Sequence, residues 1–103
     1  MDKVIIDGKV AVLISEGYGA GWSTWIDDSA ESVFDPVVVG AVEKGTSYEE
    51  ILPYLKEKYE NGYFGGYGQL VIKWVPVGKR FKIDEYDGFE SLIFEEEFDW
   101  ITA

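Results

Sequence analysis

Lys9-Val10-Ala11-Val12-Leu13-Ile14, followed two residues later by Gly17-Tyr18-Gly19-Ala20-Gly21-Trp22-Ser23-Thr24-Trp25, is the stretch on which the fold turns. A strand sends successive side chains to opposite faces, so a run that is apolar on both faces predicts a strand central in its sheet. The second part sets three glycines at alternate positions and three aromatics among and after them. Glycine frees the backbone and lets another chain segment or a ligand approach closely. Two readings stay open. In one, a tight turn lets Trp22 and Trp25 cap the core. In the other, Tyr18, Trp22 and Trp25 form a binding surface, since Trp and Tyr are the usual interface anchors.

Outward from this stretch the elements follow in order. Val4-Ile5-Ile6 and the central strand flank Asp7-Gly8, a two-residue hairpin turn. Asp27 to Ser32 is polar and reads as an exposed connection. Asp35-Pro36 opens a helix, with Asp as N-cap and Pro at the first helical position, and Gly45 closes it after Lys44. Val37-Val38-Val39 and Gly40 weaken that helix. Ser47 and Glu50 form a capping box for a second helix through about Tyr59. Its apolar stripe is Tyr48, Ile51, Leu52, Leu55 and Tyr59, and Pro53 inside it predicts a kink or a short first turn. Gly62 to Gly68 is a second glycine and aromatic loop. Leu70–Val75, Arg80–Asp84 and Phe89–Glu95 read as strands, with a second Asp-Gly turn at Asp87-Gly88 and a short edge at Phe98–Ile101.

The order β-β-α-α-β-β-β predicts a single α+β domain over residues 1–103: a mostly antiparallel sheet of four to five strands with two helices packed on one face. The 103 residues are 47% hydrophobic, enough for a core without metal or disulfide. Met1-Asp2-Lys3 lacks the pattern of a signal peptide and no apolar run approaches a membrane span, so a cytoplasmic protein is expected.

There is no histidine and no cysteine. Without either, zinc and copper centres, serine-type triads and thiol nucleophiles are essentially excluded. The Gly17 loop lacks the helix and the ribose-binding acid of a dinucleotide fingerprint, and no Gly-Lys-Ser/Thr follows it. Asp84-Glu85-Tyr86-Asp87-Gly88 fails the spacing of an EF-hand, and a carboxylate-only hydrolase rests on nothing more than the abundance of acids. No cofactor is implied.

Net charge is −11, from 20 acidic and 9 basic residues. That field repels nucleic acid and anionic membranes and attracts basic surfaces. Four of the cations, Lys73, Lys79, Arg80 and Lys82, fall within ten residues. They read either as a solvated strand face or as a phosphate or nucleotide site with Arg80 as bidentate donor.

The segments Gly17 to Trp25, Phe34-Asp35-Pro36, Glu57-Lys58-Tyr59 and Ile83-Asp84-Glu85-Tyr86-Asp87-Gly88 resemble a family of small bacteriophage and prophage proteins of no assigned activity, and Asp99-Trp100-Ile101 is similar too. The resemblance spans nearly the whole chain and is most specific in the Gly/Trp loop. It implies a bacterial host cell as the setting and a role against host defence or in takeover of a host protein; it carries over no catalytic residue.

The expectation is a non-enzymatic binding protein that occupies a host protein with a basic surface. Tyr18, Trp22 and Trp25 would be its anchors, and Asp27, Asp28, Glu95, Glu96 and Glu97 its steering charges. One alternative is a sponge for a nucleotide signal, using Lys79, Arg80 and the loop aromatics. Another is a structural or accessory phage protein.

Overall fold

The computed structural model describes residues 3–26, 29–60 and 62–94. Strand β1 (Ile5–Ile6) turns into β2 (Lys9–Ser15), and helices α1 (Pro36–Lys44) and α2 (Tyr48–Lys58) follow. Strands β3 (Leu70–Pro76), β4 (Phe81–Tyr86) and β5 (Phe89–Phe94) complete the described chain. Every strand pairing is antiparallel. The fold is therefore α+β, with two helices longer than one turn and five antiparallel strands among the described residues.

The strands do not form one sheet, as the sequence had suggested. They divide into a three-stranded sheet, ordered β1-β2-β3, and a separate β4-β5 hairpin. The register explains the division. Ala11 and Leu13 lie opposite Trp74 and Ile72 on one face, and Val10, Val12 and Ile14 lie opposite Val75, Lys73 and Val71 on the other. The first face shares its core with Val38, Val39, Ala41, Ile51, Leu55 and Tyr59 of the helices. The second face is also apolar and needs its own cover. Phe81, Ile83, Leu92 and Phe94 supply it, so the last two strands lie over the sheet instead of extending it. Gly78, at φ 86° just past Pro76, lets the chain turn there. The central strand is thus buried between two layers, with Ala11, Val12 and Leu13 wholly inside.

The turns follow sequence chemistry. Asp7-Gly8 and Asp87-Gly88 both have positive φ at both residues, as a type I′ hairpin turn requires. The Asp35 carboxylate accepts from the Val37 and Val38 N–H groups at 2.9 and 3.3 Å, capping α1, and left-handed Gly45 closes it. Ser47 caps α2 through the Glu50 N–H. That helix is continuous across Pro53, where both Pro53 and Glu49 are exposed, so water can serve the freed Glu49 carbonyl. Ser29–Ser32, expected as an exposed connection, is one helical turn whose Ser32 is fully buried.

Candidate interaction surface

Along one edge of β2 the N–H groups of Ala11, Leu13 and Ser15 point the same way. Strand β1 is only two residues long and cannot serve them all. Ala11 donates to the Val4 carbonyl and Leu13 to the Val33 carbonyl, each at 2.9 Å. Ser15 donates on this edge to a side chain, the Glu90 carboxylate, at 2.8 Å. Glu90 reaches it because β5 alternates: Phe94, Leu92 and Glu90 share the face turned toward the first sheet.

Glu90 is fully buried. Its other oxygen accepts from the Trp22 N–H at 2.8 Å, the Thr24 N–H at 3.1 Å and the Thr24 hydroxyl at 2.5 Å. Four uncharged donors thus replace water around a carboxylate, the condition for burying such a group without a cation. The same four bonds pin both ends of the Gly17–Trp25 loop to one side chain. Glu90 lies in the interior because its strand position faces inward.

The loop is also held from two sides. A Cβ on Gly66 would stand 2.2 Å from the Gly21 carbonyl oxygen, and one on Gly88 would stand 2.5 Å from the Ala20 nitrogen. Ala20 and Gly21 are clasped between the second glycine loop and the β4-β5 turn. The Gly19 N–H donates to the Asp87 carbonyl, and the Glu16 N–H to the Gln69 carbonyl. The three loops therefore meet at one end of the sheet.

Of the three proposed anchors, the structure removes one. Trp22 has no exposed surface; its indole N–H donates to the Ser32 carbonyl at 2.8 Å and its ring packs beside Phe64. The clamp on its backbone turns this ring inward, so Trp22 caps the core and is no surface anchor. Trp25 is half-buried beside Tyr63, and its indole N–H donates to Glu85 at 2.7 Å. Tyr18 is 67% exposed and Tyr86 is 77% exposed. Tyr18 packs at 5.1 Å from Phe89 and at 6.4 Å and 89° from Tyr86, ring centre to ring centre. Sequence reasoning missed Tyr86 and Phe89, although the Asp87-Gly88 turn makes them cross-strand partners. Asp27, Asp28, Glu95, Glu96 and Glu97 lie outside the described residues, as does the expected edge strand Phe98–Ile101.

The four cations do not converge into a single pocket with the loop aromatics. Lys73 is paired with Glu16 at 3.2 Å, and Lys79 lies over the Phe94 ring at 4.6 Å. None of Lys79, Arg80 and Lys82 is without an interaction within the chain. Val77 bonds to Gly8, which puts the Lys79-Arg80 connection at the start of β2, whereas the aromatic loops stand at its end. A seven-residue strand separates the two by roughly 20 Å.

A second buried carboxylate stands apart from this surface. Asp35, also without exposure, accepts from the Tyr59 hydroxyl at 2.6 Å and from the Tyr54 hydroxyl at 2.9 Å, with the Lys58 ammonium at 3.3 Å. It ties the start of α1 to the end of α2. Burial, then the nearby Asp35, raise the pKa of Tyr59 far above its usual value; burial also raises Tyr54. At Lys58 burial pulls downward, but Tyr54 and Asp35 outweigh it and the pKa is raised.

Among the described residues no group of three or more acids is placed to hold a metal ion, and no helix is long and apolar enough to cross a membrane. No family model, curated protein or solved structure matches the chain significantly.

Proposed function

We propose that this protein acts by occupancy, docking onto a basic surface of another protein through the aromatic cluster of Tyr18, Tyr86 and Phe89, and performs no catalysis. The observation that carries this reading is the exposure of Tyr18 and Tyr86 on a loop end that is otherwise clamped by buried hydrogen bonds and close glycine contacts. Rigidly displayed tyrosines offer contact area with little entropy left to lose on binding. The charge of −11 supports a basic partner and opposes nucleic acid and anionic lipid as direct ligands. The absence of histidine and cysteine from the sequence supports a non-enzymatic role, and both buried carboxylates are engaged in structural bonds. The resemblance to phage and prophage proteins supports a bacterial host protein as the partner and the host cytoplasm as the place.

The test is capture from bacterial lysate by the immobilised protein at low and high salt, compared with the double variant Tyr18→Ser, Tyr86→Ser. The expected result is a salt-sensitive partner that the variant loses while its urea midpoint stays near that of the parent. Retention of the same partners by the variant would overturn the assignment of this surface.

A further inference from the structure

The Tyr18–Tyr86 corner has a shape and a charge that select among basic groups. The two rings stand at 89° to one another, both mostly in water, as adjacent walls. Phe89 backs Tyr18, and the Tyr86↔Phe89 strand pair holds the base. The segment from Asp84 to Asp87 carries three acids and no cation, and Asp84 shares the Tyr86 face of β4. The nearest cation in that row is Lys82, four positions away.

We infer that the corner formed by Tyr18 and Tyr86 is a docking site for an arginine side chain of a basic partner, a refinement that rests on the protein-binding reading above. A guanidinium is planar, weakly hydrated and stacks on aromatic faces while its edge donates to carboxylates; an ammonium has no plane to stack. Two perpendicular rings give one face for stacking and one ring to bound the other side. Asp84 and Asp87 supply acceptors for the N–H groups left at the edge, Glu85 being engaged by the Trp25 indole on the other face of β4. Acidic peptides and phosphates are repelled by the same acids.

Titration of the intact protein with acetylated triarginine amide and, separately, trilysine amide tests this, read by calorimetry and by the ring resonances of the tyrosines. The triarginine peptide is expected to bind about threefold or more tighter than trilysine, the scale of an exposed cation–aromatic contact, and to shift the Tyr18 and Tyr86 rings. Tyr86→Leu and Tyr18→Leu, both at exposed positions, are each expected to abolish that preference. Equal affinity for the two peptides, or shifts confined to other residues, overturns the arginine site alone and leaves a charge-driven partner in place. No binding of either peptide at low salt overturns the basic-partner reading with it.

Discussion

Two carboxylates set the interior of this molecule, and each does so by collecting donors. Removing the Glu90 oxygens would strand the N–H groups of Ser15 and Trp22 in the core and release the part-buried N–H and hydroxyl of Thr24. An unsatisfied buried donor costs about 1–3 kcal/mol, so Glu90→Ala should lose about 3–5 kcal/mol in urea unfolding after partial rearrangement. Glu90→Gln keeps the volume but turns an NH2 toward other donors, and should cost about 2–3 kcal/mol. At the second hub, Tyr59→Phe deletes one bond to Asp35 with the ring kept, for an expected loss of about 1–2 kcal/mol by the same measurement. Some of this could be read in the sequence. Asp35 was recognisable as an N-cap because Pro36 follows it. Its tyrosine partners were not, since they come from a different helix. Glu90 could have been placed inward by counting alternate positions from Leu92 and Phe94. Trp22 could not: alternating glycines show that the backbone is free, and say nothing of where the ring points.

At the level of elements the turns were the most legible feature. Asp-Gly at both hairpins carries the positive φ that the tight turn demands, and nothing elsewhere in the fold can override that need. Strand partners were the least legible. A run that is apolar on both faces tells that something covers each face, but a covering helix and a covering hairpin leave the same trace. Hence β4 and β5 were expected beside the sheet and are found over it. The clasp of the loop gives a sharp expectation for this scale. Gly66→Ala puts a methyl against the Gly21 carbonyl, and Gly88→Ala puts one against Ala20 at a φ of 89°. Each should cost about 2–3 kcal/mol, through overpacking at the first and added backbone strain at the second. Gly40→Ala, where a Cβ meets nothing within 4 Å and the residue sits inside α1, should instead stabilise by about 0.5–1 kcal/mol. Opposite signs in urea denaturation of these variants would establish that the clasp, and not glycine removal as such, is what matters.

For the molecule as a whole, the raised tyrosine and lysine pKa values fix the direction of its alkaline limit. Tyr54, Tyr59 and Tyr67 are raised above 10.0 and Lys58 above 10.5. The folded chain therefore keeps protons that the unfolded chain has already released. The unfolded state binds fewer protons in that range, so stability falls as pH rises. The contribution is complete below about pH 10 and is lost progressively above it. Urea midpoints should be level from neutral pH to about 9 and fall beyond 10, and part of the tyrosine absorbance change should appear only together with unfolding. A midpoint that rose above pH 10 would contradict the burial of these hydroxyls.

The bonds from Glu90 span 75, 68 and 66 positions along the chain. Contacts of such long sequence separation form only after the intervening chain has been brought together, and they lose their basis when any layer comes away. The meeting of Tyr18 with Tyr86 and Phe89 is thus presented by the finished molecule alone. Under the proposed docking, a ligand that reads them would take an inventory of the whole fold at one spot, passing over half-made or unravelled copies, and its binding would double as a report of intactness.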